Sequence, residues 1–368
     1  MGLPIYIGFW GFKITRISDD LSFVMTNQAL VSTIVLNWNG KNVISECLES
    51  LLTQTYRPHE IIVVDNGSTD GSLAMIRAKY GSLLKIVTNE RNLGFAEGVN
   101  CGVRSSKGDL IAILNSDAAA QKDWIEELAR SMSQSESVGM CASKIYLAGQ
   151  AGILDNTGEV ICRDGLGRGR GRLEKDQGQY DSSPEVLCPS GCAALYRRKM
   201  LEEAGGMDKY FFAYAEDIDI GLRGRLIGYD CVYVPSAVVI HKFSHSSGLV
   251  SPLKAFYVER NRLWVVLKCF PLPHLLLAPF YTVQRYFYHL AGLFSKKGPA
   301  SQYVDRFSPW SLFLILIKVY LSTLWFLPYL IIQRGKIRKK SKRTWQEFER
   351  WLRSFGMSSR DAALNELG

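Results

Sequence analysis

Residues 31–65, VSTIVLNWNGKNVISECLESLLTQTYRPHEIIVVD, decide the fold class. The apolar run 31–37 is typical of a buried strand, and 42–54 carries apolar residues at helical spacing. The apolar run 61–64 is the next strand, and it is stopped by the turn-forming residues DNGSTDGS (65–72). A strand, a helix and a second strand in this order predict a parallel β-α-β unit.

The same alternation continues along the chain. The pattern predicts helix over 72–80, strand over 85–88, helix over 96–105 and strand over 109–115. Apolar strands that alternate with helices predict an α/β fold with a parallel sheet covered on both faces. Ligands of such sheets bind beyond the carboxyl ends of the strands. We therefore expect the chemistry at Asn37, Asp65, 89–92 and 115–117.

The composition narrows the class of protein. A chain of 368 residues with 47% hydrophobic and 21% charged residues is neither mainly disordered nor collagen-like, nor a small disulfide scaffold. Its eight scattered cysteines indicate a reducing compartment. The net charge of +9 fits an anionic partner. Seven basic residues lie within 334–343, beside a long apolar run, which favours an anionic membrane surface and not nucleic acid.

The C-terminal third has the pattern of a membrane-associated segment. Residues 263–294 are apolar but interrupted by prolines, and 310–332 contains a single charge, Lys318. The second run is long enough to cross a bilayer, and the basic run after it is typical of a cytoplasmic flank. A buried core helix is the alternative, which the length disfavours. A spanning hairpin and helices that lie in the membrane plane both remain open.

A glycine-rich segment, GLGRGRGR (165–172), follows the sheet-forming region. No strand precedes it at the spacing of a dinucleotide fingerprint, so that function is excluded. Its glycine content predicts a flexible, solvated loop. The alternative is a mobile flap whose arginines reach phosphates.

Three acidic motifs could carry chemistry. Asp65 ends a strand, where a carboxylate can bind a base or a ribose, although aspartate is also common in turns. Asn115 and Asp117 offer oxygen ligands that suit Mg²⁺ or Mn²⁺. The segment 215–225, AEDIDIGLRGR, follows the apolar FFAY and predicts a partly desolvated carboxylate cluster suited to a general base. The same acids are equally typical of a helix N-terminus, where they favour the macrodipole.

These motifs together resemble the inverting family 2 glycosyltransferases of the GT-A fold, in particular their bacterial rhamnosyltransferase-like branch. The similarity covers roughly residues 31–262. The residues that carry it are TIVLNWNG (33–40), IIVVDNGSTDGS (61–72), NERNLGFAEGVNCGV (89–103), ILNSDA (113–118), PSGCAALYRRKMLEEAGGMDKYFFAYAEDIDIGLR (189–223), GY (228–229), His241 and YVERNR (257–262).

The resemblance implies a role for each matching position. Asp217 would be the catalytic base, assisted by Glu216, and Asp219 would orient the base or the acceptor. Asp117 would bind Mg²⁺ or Mn²⁺ and His241 would complete that site. Asn115 stands where many relatives have a first metal-binding acid. Nucleotide-sugar binding is implied for Asn37 (through its backbone), Asp65, Asn92, Gly94, Phe95, Asn100, Asn115 and Ser116. Gly191 would leave room for the acceptor, and Arg260 and Arg262 would face a diphosphate or a lipid headgroup.

The resemblance also implies the reaction. We expect transfer of a sugar, L-rhamnose from dTDP-rhamnose as the first choice, to a lipid-linked or polysaccharide acceptor at the cytoplasmic face of the cell membrane. UDP-galactofuranose, UDP-glucose and UDP-hexosamine are alternative donors. A non-catalytic, membrane-associated nucleotide-sugar-binding protein is the alternative outside enzymes. The sequence predicts no nucleic-acid partner and leaves the oligomeric state open.

The chain is thereby divided into four parts. Residues 1–30 form an N-terminal extension. We expect that its first 24 residues come from a start codon assigned upstream of the true one. Residues 31–262 form the GT-A catalytic domain, 263–335 the membrane-associated apolar helices and 336–368 a basic C-terminal tail.

Overall fold

The structure is a computed structural model that describes residues 28–242 and 251–365. Almost all of the predicted N-terminal extension lies outside these residues. The strands are β1 (Val31–Asn37), β2 (His59–Asp65), β3 (Lys85–Thr88), β4 (Leu110–Asn115), β5 (Ala118–Ala120), β6 (Val138–Leu147), β7 (Leu154–Asn156), β8 (Glu159–Cys162), β9 (Gly167–Gly169), β10 (Ala193–Arg197), β11 (Asp230–His241) and β12 (Gly356–Met357).

The helices alternate with strands as expected up to residue 115, whereas those between residues 252 and 354 follow one another without a strand. They are α1 (Ile44–Leu52), α2 (Ser72–Tyr80), α3 (Phe95–Ser105), α4 (Trp124–Ser133), α5 (Arg198–Ala204), α6 (Glu216–Leu226), α7 (Pro252–Cys269), α8 (Leu272–Ser295), α9 (Gly298–Val304), α10 (Pro309–Lys340), α11 (Trp345–Ser354) and α12 (Ser359–Leu364). The predicted elements between 31 and 115 are confirmed to within two residues at each end.

The central sheet is mixed. In the described residues it has the order β3-β2-β1-β4-β10-β6-β11-β5, with β7 added beside β6. Strands β3, β2, β1 and β4 are parallel, whereas β10 is antiparallel to both β4 and β6. Two buried apolar layers cover the two faces of the sheet, which confirms the predicted α/β class.

Helix α7 ties the C-terminal helices to the sheet domain. The domain boundary drawn at residue 262 falls inside this helix, which continues to Cys269. Trp264 and Val265, just beyond that boundary, have 0% exposure and belong to the main core. Helix α10 then packs along α7, so the sheet domain and the apolar helices share one core. Among the described residues, α10 is the one helix long and apolar enough to cross a membrane, judged by length and composition alone.

The C-terminal segment is more ordered than the predicted basic tail. Residues 345–364 form α11, β12 and α12, and β12 pairs with β8. Two parallel hydrogen bonds from Arg163 to Glu349, 2.8 and 2.7 Å long, attach α11 to the sheet domain. Arg334 and Arg338, in the basic run, donate to the carbonyls of Leu267 and Phe270 at the end of α7, a favourable place for cations.

The glycine-rich segment is also ordered, so the prediction of a flexible, solvated loop is wrong. Residues 167–169 form β9, which pairs with β8. The guanidinium of Arg170 lies 4.8 Å from the ring centroid of Tyr180 and 5.1 Å from that of Tyr233. Arg172 forms an ion pair with Asp155. These cation–π and ionic contacts offset the low intrinsic order of the glycines.

Candidate active site

The polar ends of the parallel strands meet at one edge of the sheet, as predicted. Asn37 at the end of β1 lies opposite Asp65 at the end of β2, and Asp65 lies opposite Thr88 in β3. On the other side of β1, Leu36 lies opposite Asn115. The backbone N–H of Asn115 donates to the carbonyl of Cys192, which brings the segment before β10 to the same edge.

Asp65 is held by a buried polar network. Its Oδ1 accepts from Nδ2 of Asn37 at 2.7 Å and its Oδ2 accepts from the backbone N–H of Ser68 at 3.1 Å. The amide of Asn37 also donates to the hydroxyl of Ser72 at 2.9 Å. Asn37 is fully buried and its carbonyl accepts from Asn66, so it supports Asp65 through its side chain instead of lining the pocket through its backbone.

The second predicted nucleotide-side segment wraps around Asn92. Its Oδ1 accepts from the backbone N–H of Gly94 at 2.8 Å and from Nδ2 of Asn66 at 2.9 Å. Gly94 has φ +84°, and a Cβ there would lie 2.5 Å from the carbonyl oxygen of Phe212, so only glycine fits. The backbone N–H of Phe95 donates to that same carbonyl at 2.5 Å. This segment is therefore locked to the loop that precedes the acidic cluster.

Asn100 lies in this segment but contacts a different loop, the one around Met207. Its side chain donates to the carbonyl of Met207 at 2.8 Å and accepts from the N–H of Met207 at 3.0 Å. It therefore fixes the loop before the 3₁₀ turn Lys209–Phe211 and not the edge of the sheet. Asn66 was missed in the sequence, where it reads as an ordinary member of the turn motif DNG.

Asp117 and His241 lie together, as the resemblance implies. Nε2 of His241 is 3.3 Å from Oδ1 of Asp117, and its Nδ1 is 2.7 Å from Oδ2 of Asp155. Asp155 in turn pairs with Arg172. A carboxylate on one ring nitrogen orients the other towards a metal, so this set fits a divalent cation. In the described residues no group of three or more His, Cys, Asp or Glu side chains is arranged around a common centre.

Asp217 lies in the first turn of α6, as the helix N-terminus interpretation of the acidic motif predicts. Its Oδ2 accepts from the backbone N–H of Gly191 at 3.0 Å and its Oδ1 accepts from that of Ile218 at 2.8 Å. Burial raises the pKa of Asp217, although these two N–H groups oppose the shift. A Cβ at position 191 would lie 3.6 Å from Oδ2, so Gly191 leaves this face of the carboxylate uncovered.

Glu216 and Asp219 flank Asp217 but differ in their surroundings. Burial and the nearby Asp217 raise the pKa of Glu216 well above its ordinary value. Its Oε2 is a buried atom without a hydrogen-bond partner among the described residues. Asp219, with 0% exposure, pairs with Arg223 at 2.6 Å and with Lys268 at 2.8 Å. Asp219 was expected to orient the base or the acceptor; it is instead enclosed in an ion-pair anchor between α6 and α7, where it cannot contact an acceptor.

Replacing Lys268 tests that anchor. Lys268→Met leaves Asp208 and Asp219, two buried acids, without their shared cation. We expect the free energy of unfolding to fall by about 3–5 kcal/mol, measured by urea titration. Lys79→Met, which removes an exposed ion pair with Glu49, is the matched control and should change stability little. Equal effects of the two changes would contradict the anchor role.

A further carboxylate, which the sequence pattern does not reveal, lies near Asp217. Glu159 is 7% exposed at the start of β8, and Asn156 donates to it at 2.7 Å. Burial, with the charge of Asp217 as the next cause, raises the pKa of Glu159 from 4.5 to about 8. Glu159 therefore keeps its proton to a higher pH than an ordinary glutamate. Nothing in the motif GEVIC, where it stands alone among apolar residues, indicates this position.

The raised pKa of Glu159 predicts a pH-dependent stability. Between about pH 4.5 and 8 the folded chain keeps a proton on Glu159 that the unfolded chain releases. The free energy of unfolding should therefore fall as the pH rises through this window. Glu159→Gln should flatten that decline, measured by urea titration at several pH values, whereas the exposed Glu90→Gln should not. An unchanged slope in Glu159→Gln would refute the assignment.

The loop before Asp217 is strained and is held by α7. Phe212, Tyr214 and Ala215 all have positive φ, between 62° and 70°, a conformation that costs free energy in residues with a side chain. Nδ2 of Asn261 lies 2.7–3.0 Å from the carbonyl oxygens of residues 211, 213 and 214. Arg260 donates to the carbonyls of residues 210 and 211. Asn261, which no signal within YVERNR singles out, therefore supports the backbone that leads to Asp217.

The two arginines of that motif do not line the site. Arg260 is 7% exposed and its guanidinium lies 4.2 Å from the ring centroid of Trp264. Arg262 is 1% exposed and pairs with Glu259 at 2.6 Å and with Asp164 at 3.5 Å. The expectation that they face a diphosphate or a lipid headgroup is wrong, because both guanidinium groups are buried inside the protein, where Arg260 donates to backbone carbonyls and Arg262 pairs with acids.

The chain is similar in sequence to known glycosyltransferases. The family model described as Glycosyl transferase family 2 matches residues 32–205. An uncharacterized glycosyltransferase of Haemophilus influenzae is 32% identical over 143 residues, which cover 37% of this chain and 44% of that protein. The N-acetylglucosaminyl-diphospho-decaprenol L-rhamnosyltransferase of Mycobacterium tuberculosis is 29% identical over 227 residues, which cover 55% of this chain and 72% of that protein.

A solved structure supports the fold. GalNAc-T7 in complex with UDP, GalNAc and Mn²⁺ superimposes with a TM-score of 0.54 at 17% identity, covering 66% of this chain and 48% of that one. The sheet is therefore GT-A-like, and residues 32–205 are similar to the family 2 glycosyltransferases. The aligned region spans less than half of the Haemophilus relative.

Proposed function

We propose that this chain is an inverting glycosyltransferase that uses a nucleotide diphosphate sugar. The observation that carries the proposal is the position of Asp217, a desolvated carboxylate with one oxygen oriented by Gly191 at the edge of the sheet where Asn115 lies. A carboxylate with a raised pKa at a ligand-binding edge is typical of a general base.

The reaction needs one base and one departing group. Asp217 takes the proton of an acceptor hydroxyl while that oxygen attacks the anomeric carbon of the donor. The bond between this carbon and the diphosphate oxygen breaks in the same step, and the nucleotide diphosphate leaves with the electron pair. Attack from the face opposite to the leaving group inverts the anomeric centre. Glu216 lies beside the base, and no covalent sugar–protein intermediate is required.

The donor would be held by the polar network at the strand ends. Asp65, fixed by Asn37 and Ser68, would accept hydrogen bonds from the base or the ribose. Asn92, Gly94 and Phe95 would form the adjoining wall. Asn115 and Ser116 follow β4 at the centre of this edge and would lie nearest the sugar diphosphate.

Asp117 and His241 would hold Mg²⁺ or Mn²⁺. A cation bound there neutralises charge on a diphosphate. Two protein ligands suffice because substrate phosphates and water usually complete the coordination of such ions. Asp155 would keep Nδ1 of His241 occupied so that Nε2 faces the cation. The Mn²⁺ in the GalNAc-T7 complex supports this assignment by analogy of fold.

The proposed donor is dTDP-L-rhamnose, and the proposed acceptor is a lipid-linked or polysaccharide glycan at the cytoplasmic face of the membrane. The rhamnosyltransferase name of the mycobacterial relative supports this choice. The apolar helix α10 supports membrane association. UDP-galactofuranose, UDP-glucose and UDP-hexosamine remain the competing donors for the same site.

A transfer assay tests the proposal. The chain is incubated with each nucleotide sugar, Mg²⁺ or Mn²⁺ and bacterial membrane lipids, and the release of nucleotide diphosphate and the labelled glycolipid are both measured. Turnover with dTDP-rhamnose is expected. Turnover with another donor alone would replace the rhamnosyl assignment. Nucleotide binding without turnover of any donor would contradict the enzymatic role.

A further inference from the structure

Helices α8 and α10 each have one buried face and, opposite to it, one exposed apolar face. In α10 the buried residues Ile315, Val319, Thr323 and Leu330 share one face. At about 100° per residue the opposite face carries a continuous stripe of exposed apolar side chains. This stripe includes Trp310, Leu314, Ile317, Leu321, Leu324 and Ile332, each at least 40% exposed.

Helix α8 repeats the arrangement. Its buried residues His274, Ala278, Thr282 and Arg285 face the body of the protein. Its exposed stripe consists of Leu276, Phe280, Val283, Phe287, Leu290 and Phe294, each at least 58% exposed. Apolar patches of this extent are rare on soluble monomers and mark an interaction surface.

The buried face of α10 is bound to the sheet domain along the apolar run itself. Trp264 of α7 donates to Thr323 at 3.2 Å, near the middle of the run. Tyr329 donates to Asp208 at 2.9 Å, and Asp208 also pairs with Lys268 at 2.5 Å. If α10 crossed a bilayer, these charged groups would have to enter the hydrocarbon core, which is strongly unfavourable.

Lysines lie at the end of each stripe. Lys296 and Lys297 follow α8 and are exposed, as are Lys336, Lys339 and Lys340 at the end of α10. Apart from Lys318, the exposed positions of both stripes carry no charge. An apolar face with lysines at its border complements an anionic lipid surface, where the lysines would contact the headgroups.

We infer that α8 and α10 lie in the plane of the membrane and insert their exposed stripes into one leaflet of an anionic bilayer, without crossing it. The inference deepens the membrane association given under the proposed function. Its tests measure binding and topology, so they remain interpretable if sugar transfer is never observed. The arrangement holds the sheet domain against the surface on which a lipid-linked acceptor would lie.

The first test measures flotation of the full chain with vesicles of phosphatidylcholine, with and without phosphatidylglycerol. Binding is expected to require phosphatidylglycerol and to weaken with added salt. Phe280→Glu with Phe287→Glu in α8, and separately Leu321→Glu with Leu324→Glu in α10, should each lower the partition coefficient by at least about tenfold per side chain. Leu83→Glu, at an equally exposed leucine outside both helices, is the matched control and should bind normally.

The flotation results decide whether the exposed stripes of α8 and α10 form the membrane-binding surface. Undiminished binding of either double variant would overturn the two-stripe surface. A dimer in lipid-free solution that the double variants dissociate, combined with no vesicle binding by the parent chain, would assign the face to a second copy instead. Every substituted side chain is more than half exposed, so we expect each variant to fold normally. Circular dichroism of each variant checks this expectation.

The second test distinguishes a helix α10 that lies in the membrane plane from one that crosses the bilayer. Arg306→Cys, just before α10, and Lys340→Cys, at its last residue, place thiols at exposed positions off the inserted stripe, about 50 Å apart along the helix. In sealed inner-membrane vesicles with the cytoplasmic face outward, a membrane-impermeant maleimide should label both without detergent, above the background of the unsubstituted chain. Labelling of only one until detergent is added would show that α10 crosses the bilayer and would overturn the inference.

Discussion

Asp217→Asn is expected to reduce the transfer rate by about 10²–10⁴-fold while nucleotide-sugar affinity stays within about twofold. The amide keeps the size of the side chain and can still accept from Gly191, but it cannot take the proton of the acceptor hydroxyl. Turnover and donor affinity would be measured separately, by product formation at saturating donor and by calorimetry with the free nucleotide.

The pH profile sharpens this test. Because burial raises the pKa of Asp217, activity should fall on acidification at a higher pH than for an ordinary aspartate. Asp109→Asn, at an exposed aspartate before β4, is the control and should leave both turnover and profile unchanged. A variant Asp217→Asn with normal turnover would remove this residue as the base.

Asp117→Ala is expected to lower metal-supported donor affinity by about 10³-fold, because a lost carboxylate ligand removes several kcal/mol of charge stabilisation. Titration of the nucleotide sugar with and without Mn²⁺ measures the effect directly. The parent chain should bind more tightly with Mn²⁺ than with a chelator present, and the variant should show the same weak binding in both.

The control for this change is Asp123→Ala, six residues along the chain, whose side chain makes no capping hydrogen bond to α4. Normal Mn²⁺-dependent affinity in Asp117→Ala would refute the proposed metal role. An equal loss of affinity with and without Mn²⁺ would instead indicate that Asp117 maintains the structure of the site and does not bind the metal.

The sequence was informative where local pattern and chain order determine position. The strand ends at Asn37, Asp65 and Asn115 could be placed at one edge because parallel strands end on the same side. Glu159 could not be found, because it is brought to Asp217 by the small sheet β12-β8-β9 and has no motif of its own.

The burial and pairing of charged side chains were the least predictable properties. Arg262 and Asp219 have the polar character of site residues, yet both are neutralised by partners distant in sequence, such as Asp164 and Lys268. Composition likewise predicted a loose loop at 165–172, whereas tertiary contacts to Tyr180, Tyr233 and Asp155 order it. Burial and pairing depend on the whole fold, and a linear pattern carries little of that information.

The continuity of α7 has a practical consequence for engineering. A protein cut after Arg262 would lose Trp264, Val265 and Lys268 from its core, so removal of 263–368 would report misfolding and not the loss of a membrane anchor. Chimeras made to exchange acceptor specificity between relatives should therefore transfer the sheet domain and the C-terminal helices as one cassette. Surface substitutions on the exposed stripes are the cleaner test of the proposed membrane binding.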